Sequence, residues 1–375
     1  MTMMMETNTD LAEVARRIAA DLRPAAAGND ATGQLPVGTF DTLRQAGLTS
    51  ALVPQAFGGG GVGHREMGAI LRELGAADPA VAVTLSMHSH LVAAQVWRHH
   101  RGMDASGVLG KVANGAILVS TGASDWVGSN GTTQKVDGGY RVTARKSPAS
   151  GCEVGDVLVT SIRWEDGPDG PSVVHCAVPF SADGVSIELT WDTLGQRATG
   201  SHTVVLDDVF VPDAAVALVR QADCWHPVWN TVMGAAMPLI TSAYLGIADA
   251  AVSTAIGAVQ GRTDAHLVPL VGELLNAHTT AADVVDAMFT SSDDLHFDNT
   301  DEHASSTLRR KTVAADAMIE TVRLAIEVVG GPAFTRGTEL ERLYRDVHGV
   351  LFHPLPRAKQ LQFSGRLALG LPPVG

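Results

Sequence analysis

The sequence predicts an α+β fold whose helices and strands occupy separate blocks, and the texture of the chain shows it in three stages. Residues 10–113 carry apolar side chains at helical spacing. Residues 114–215 hold short β-branched runs broken by turns, and residues 223–370 return to long Ala-, Val- and Leu-rich helical stretches. That order argues for segregated layers rather than an alternating parallel sheet. It divides the chain into an N-terminal α-helical domain (1–113), a central β domain (114–222) and a C-terminal helical bundle (223–375).

The first block opens with "DLAEVARRIAADL", whose apolar residues repeat at helical spacing. Pro36 is placed to open a second helix, "PVGTFDTLRQAGL", stopping near Gly47. "GGGG" at 58–61 reads as a loop. "REMGAILRELGAA" and "VAVTLSMHSHLVAAQVWRHH" follow as helices, separated by "DPA". In the β block, "AILVST", "TTQKVDGGYRVTARK", "DVLVTSIRW", "SVVHCAVPF", "VSIELTW" and "SHTVVLDDVFVP" read as strands, with "VDGGY" a hairpin turn. The last block reads as helices near 230–260, 265–291, 302–329 and 337–348, two of them joined by the polar loop "DDLHFDNTDEH".

Composition narrows the function. A formal charge of −13, from 27 basic and 40 acidic residues, with no Lys/Arg-rich run, disfavours a nucleic-acid partner. The stretch 232–252 is apolar enough to suggest a membrane span. It carries Thr241, Ser242 and Asp249, so a buried helix and no membrane partner are expected. The start of the chain lacks a secretory pattern. Cys152, Cys176 and Cys224 form neither a disulfide framework nor a metal pair; buried thiols in a reducing cytoplasm are expected. No metal site is read, and no GxGxxG or GxxxxGK[ST] supports a nucleotide fold.

Four strings, in order, resemble the acyl-CoA dehydrogenase superfamily: "LRQAGLTSALVPQAFGGGGVG" (43–63), "STGASDWVGSNGTTQKVDGGYRVTARKSPASG" (120–151), "WDTLGQRATGSHTVVLDDVFVP" (191–212) and "VVGGPAFTRGTELERLYRD" (328–346). The resemblance implies that fold, with a central β-barrel or sandwich and a C-terminal four-helix bundle, assembled as a homodimer or homotetramer. It also implies a flavin, FMN or FAD, between the β domain and the last helices. Ser120, Thr121, Ser124, Ser147 and Ser150 lie in the stretches that would serve the flavin's polar edges, although Ser and Thr also simply end strands and cap turns. Trp191 and Arg197 either hold the flavin or order their loop, and Gly330 and Gly331 match the family's glycine pair.

A dehydrogenase of this family needs a carboxylate base. Where one would follow the Arg-Asp pair, the sequence reads "VLFHPLP", and the second family position, in "AMPLITSAYLG" (236–246), holds no acid. One branch lacks that base: the oxygenases of two-component flavin monooxygenases, which receive reduced flavin from a separate reductase and oxidise a small molecule with O2. "LSMHSHL" (85–91), "KSPASG" (146–151) and "LFHPLP" (351–356) are similar to that branch's dibenzothiophene enzymes, which implies His88, Ser150 and His353 as catalytic groups. Imidazole suits proton handling near neutrality. His88 and His90 face nearly opposite ways on one helix, and the alternative for each is a hydrogen-bonded core residue. His353 precedes a proline, which turns it out of helical register. "ERLYRD" is expected to form internal ion pairs between helices. Two other readings stay open: an acyl thioester dehydrogenase or desaturase with an atypical base, and a non-catalytic relative.

Overall fold

A computed structural model describes residues 10–374. The N-terminal block comprises α1 (Leu11–Leu22), α2 (Ala26–Thr32), α3 (Val37–Gln45), α4 (His64–Ala77), α5 (Pro79–His100) and α6 (Ser106–Ala113). Asp10 caps α1 by accepting from Ala12 N and Glu13 N. The "DPA" junction ends α4 and starts α5, because Asp78 accepts from Ala80 N and Val81 N and Pro79 stands at the first helical position. Pro36, by contrast, precedes α3 rather than opening it, and Gly47 follows its end in a left-handed conformation.

Eight strands follow: β1 (Leu118–Ser120), β2 (Thr132–Val136), β3 (Gly139–Lys146), β4 (Val157–Trp164), β5 (Ser172–Pro179), β6 (Val185–Glu188), β7 (Thr203–Pro212) and β8 (Val216–Gln221). They form two four-stranded sheets, ordered β1-β4-β5-β8 and β2-β3-β7-β6. Only the β1–β4 pair is parallel. Leu158, Ile162 and Val174 of the first sheet share a core with Val142, Leu206 and Val209 of the second, so this domain is a sandwich.

The C-terminal helices are α7 (Val228–Val259), α8 (Leu267–Ser292), α9 (Asp301–Val329), α10 (Glu339–Val347) and α11 (Arg357–Ala368). α7 is the long apolar stretch. It is long and apolar enough to cross a membrane, and most of it is buried among α4, α5, α8 and α9. Contact at that crossing is close. A Cβ at Gly75 would lie 2.2 Å from Ala243 O, and one at Gly246 2.2 Å from Arg72 O, so glycine lets the α4 and α7 backbones meet.

The "ERLYRD" charges do tie elements together. Arg345 pairs with Asp30 of α2 at 2.6 Å and with Glu341 at 2.7 Å. Asp346 Oδ1 accepts from Gln196 N at 2.6 Å. This joins α10 to α2 and to the loop before β7. One expectation is corrected: Cys152 and Cys176 are buried, but Cys224 is exposed, because it lies on the connection between β8 and α7 rather than inside a strand.

Candidate functional site

The domains meet around a cavity of about 470 Å³. Its walls come from α5, from the strand ends at Ser120, Thr121, Val159 and Thr160, and from the first three turns of α7; Pro354 closes one side. Most of the lining is apolar. Trp126 stacks on Trp229 with ring centroids 4.9 Å apart, and Trp225 meets Trp126 edge-on.

A buried polar cluster stands behind the strand ends. Lys146 Nζ pairs with Asp125 Oδ1 at 2.9 Å, both almost fully buried. Thr121 Oγ1 donates to Asp125 Oδ2 at 2.6 Å and lies 3.2 Å from Thr160 Oγ1. Arg220 donates to the carbonyls of Asp125, Trp126 and Val127. The site loop is therefore fixed from both ends. Burial pulls the Lys146 ammonium below its usual range, and Asp125 works against that shift. Both residues lie inside strings that the sequence reading quotes, and neither is given a site role there.

The predicted site residues divide by location. Ser120 and Thr121 line the cavity. The Ser124 side chain lies outside the described set. Ser147 is exposed. Ser150 bonds Ser201 Oγ at 2.7 Å, and Ser201 in turn bonds Thr199 Oγ1 at 2.7 Å. Trp191 Nε1 donates to Gln196 O at 2.9 Å, and Arg197 reaches Asp30 O, Asp192 and Thr193 O, so these two order their loop. Gly330 and Gly331 are exposed at the end of α9, away from the cavity lining.

The histidines rearrange the reading of α5. His88 receives a hydrogen bond from Leu118 N on Nδ1 at 2.9 Å and donates from Nε2 to Thr49 O at 2.8 Å. Neither ring nitrogen is left for a ligand, so the catalytic assignment to His88 gives way to a structural one. His90 lines the cavity instead. Its Nδ1 is bonded to Ser86 O at 3.3 Å, which leaves Nε2 as the acceptor. Burial lowers the pKa of both residues to about 4.

His353 is half-buried beside this wall, next to the lining residue Pro354. Its Nε2 accepts from the Tyr244 hydroxyl at 2.9 Å, and its carbonyl accepts from buried Lys311 Nζ at 2.9 Å. Burial, then the charge of Lys311, lower its pKa to about 3. Burial raises the Tyr244 phenol well above its ordinary range, so Tyr244 keeps its proton and donates. Tyr244 lies in "AMPLITSAYLG", a string that holds no acid but does hold this phenol. No three His, Cys, Asp or Glu side chains among the described residues are grouped to hold a metal.

A flavin fits these walls on one direct observation. Ser120 Oγ and Trp229 Nε1 are both buried without a hydrogen-bond partner, and both residues line the cavity. Unsatisfied buried polar atoms are uncommon, and a flat heteroaromatic with polar edges would satisfy them.

The acyl-CoA dehydrogenase N-terminal domain matches residues 5–115 and the acyl-CoA dehydrogenase C-terminal domain residues 229–351. Among curated relatives, the Bacillus subtilis protein YdbM, which bears the name acyl-CoA dehydrogenase, is 28% identical, over 90% of this chain and 91% of its own. L-evernosamine nitrososynthase of a Micromonospora species is 29% identical, over 96% and 89%. Dibenzothiophene monooxygenase of Rhodococcus qingshengii is 24% identical, over 92% and 90%. A solved structure of KijD3 in complex with FMN and dTDP-3-amino-2,3,6-trideoxy-4-keto-3-methyl-D-glucose is similar with a TM-score of 0.85 at 27% identity, covering 97% of this chain and 95% of that one.

Proposed function

This chain belongs to the acyl-CoA dehydrogenase family, and on that premise we propose that it is a flavin-dependent monooxygenase acting with reduced flavin and O2 on a small organic substrate. One observation carries the choice over a dehydrogenase. Asp125 is the only carboxylate lining the cavity among the described residues, and Lys146 neutralises it. A base that removes a proton from carbon must be free and positioned. Of the two places where the family would keep one, the first holds Pro354, next to His353, and the second lies on the helix bearing Tyr244 and holds no acid.

Ser120, Thr121 and Thr160 would hold the flavin's polar edge, with Trp229 donating its indole N–H and Trp126 backing it. When bound, the reduced flavin supplies the electrons that activate dioxygen. The protein does the rest. Neutral His90 offers Nε2 as a proton acceptor inside the cavity, with its tautomer set by Ser86 O. Tyr244 keeps its proton on the hydroxyl and shares it with His353 Nε2, fixing that ring beside Pro354. Apolar walls from α5 and α7 exclude water and strengthen each polar contact inside.

A separate reductase is the partner this reading requires, as the resemblance to two-component oxygenases implies. Self-association into a homodimer or homotetramer belongs to the same proposal, supported by Phe334, Phe352 and Leu189, exposed at 86%, 77% and 76%. So does a cytoplasmic location, supported by three free thiols.

The test is oxygen consumption by the protein with chemically reduced FMN or FAD, followed by rapid mixing. Uptake above the free-flavin rate with a transient flavin spectrum is expected. Anaerobic bleaching of bound FAD by an acyl-CoA, with no oxygen consumption, would establish the dehydrogenase reading instead.

A further inference from the structure

Among the described residues, three of the buried polar side-chain atoms without a partner belong to residues lining this same cavity: Ser120 Oγ, Trp229 Nε1 and Asn299 Oδ1. The first two are accounted for by the flavin's edges. Asn299 is not, and its position shows why. Its segment is fastened to the C-terminal end of α5, where Trp97 Nε1 donates to Phe297 O at 3.0 Å. The β domain meets α5 nine residues earlier, where Leu118 N donates to His88 Nδ1. Nine residues of α-helix span about 14 Å. Asn299 therefore stands at the far end of the α5 wall from Ser120 and His90.

The charge of the lining completes the picture. Asp125 is paired with Lys146, and Arg98 is exposed and donates to Asp104 O. Among the described residues the cavity presents no free carboxylate to an ammonium group, and most of its wall is apolar, with Met, Leu, Val, Ile and Trp side chains. An amide with no protein partner in such a wall is a site that a ligand's own hydrogen-bonding group would satisfy.

We infer that Asn299 is the specificity-determining contact for the substrate's polar end, and that the substrate is a neutral, mostly apolar molecule ending in a hydroxyl or N–H group. The inference deepens the proposed function and rests on it in taking this cavity as the substrate's. Asn299 orients the molecule from one end so that its other end lies beside His90. A substrate lacking the polar end leaves the amide unpaired and binds more weakly. A cationic amine meets no counter-charge and binds more weakly still.

The experiment is calorimetric titration of the full chain saturated with oxidised FMN, without reductant, so that nothing turns over. Three ligands built on one biphenyl frame serve as probes: 4-phenylphenol, biphenyl and the ammonium form of 4-phenylbenzylamine. The phenol should bind about tenfold more tightly than biphenyl, the scale of one buried hydrogen bond, and the amine at least tenfold more weakly than the phenol. Asn299→Leu should abolish the phenol's advantage while leaving biphenyl within about twofold. Asn299→Asp should raise the amine's affinity above the phenol's, a gain that a damaged fold cannot produce. An unchanged phenol preference in Asn299→Leu, or an amine that binds the wild type as tightly as the phenol, overturns the inference. Because the titrations need no turnover, absent oxygen uptake with these preferences intact would defeat the monooxygenase reading alone, and oxygen uptake with no such preferences would defeat the Asn299 assignment alone.

Discussion

Replacing Lys146 with methionine keeps the length of the side chain and removes its charge. Asp125, with its side chain 5% exposed, then keeps only the hydroxyls of Thr121 and Ser129 as donors to its carboxylate. Arg220 does not rescue it, because its guanidinium bonds the carbonyls of this loop and not the acid. Removing one partner of a buried pair costs about 3–5 kcal/mol, since the other charge is left uncompensated. With an unfolding entropy of about 2.1 cal/mol/K per residue, a chain of this size should lose roughly 4–6 °C in Tm. The assay is urea and thermal unfolding of the flavin-free protein, in a cycle with Asp125→Leu and the double variant. The double variant carries neither charge of the pair and should recover most of the loss. A Lys146→Met protein within about 1 kcal/mol of wild type, or single effects that simply add in the double variant, would show that the pair is not what holds the strand ends.

Two further outcomes follow from the same structure. Tyr244→Phe removes the 2.9 Å hydrogen bond to His353 Nε2; oxygen uptake with reduced FMN should fall about fivefold, on the scale of one hydrogen bond, while the unfolding midpoint stays near wild type. Acid should destabilise the fold: His64, His88 and His90 are lowered to about 4 and His175 and His353 to about 3, below their unfolded value of 6.5, so the unfolded state takes up protons first and stability present above pH 6.5 is lost as pH falls toward 4. Asp346, raised to about 7, opposes this with one proton, since its contribution is lost as pH rises through that value; the urea midpoint at pH 5.5 should still lie clearly below that at pH 7.5.

The fold was legible because its blocks differ in period and in composition. The long helices of the C-terminal bundle lie within a few residues of where apolar spacing put them, and "VDGGY" is the β2–β3 hairpin, pairing Val136 with Gly139. The elements that were missed have weak local signals. β8 reads "VALVRQ", an edge strand whose alternate residues face outward, and its only paired neighbour in the sheet is β5. α2 is seven residues long, too short for a period to show. α11 begins only after "HPLP", which reads as a break, and it holds to the bundle mainly through Gln360 and Phe363.

The site was legible where chemistry left a gap and illegible where only geometry decides. A missing acid can be read from letters, which pointed to the neighbourhood of His353, and the resemblance of 120–151 to the family's flavin loop pointed to Ser120 and Thr121, which line the cavity. Which of two histidines faces a cavity cannot be read on α5, because that helix is buried on nearly every side and periodicity names no outer face. His88 and His90 are equally buried and equally neutral; they differ in their partners. Leu118 N and Thr49 O, 30 and 39 residues away in sequence, use up both nitrogens of His88, whereas His90 spends one on its own helix and keeps the other. The same rule separates Ser150, satisfied by Ser201, from Ser120, satisfied by nothing in the protein. A polar residue in a buried wall becomes available to a ligand when the fold withholds a partner from it, and that property belongs to the neighbours rather than to the residue.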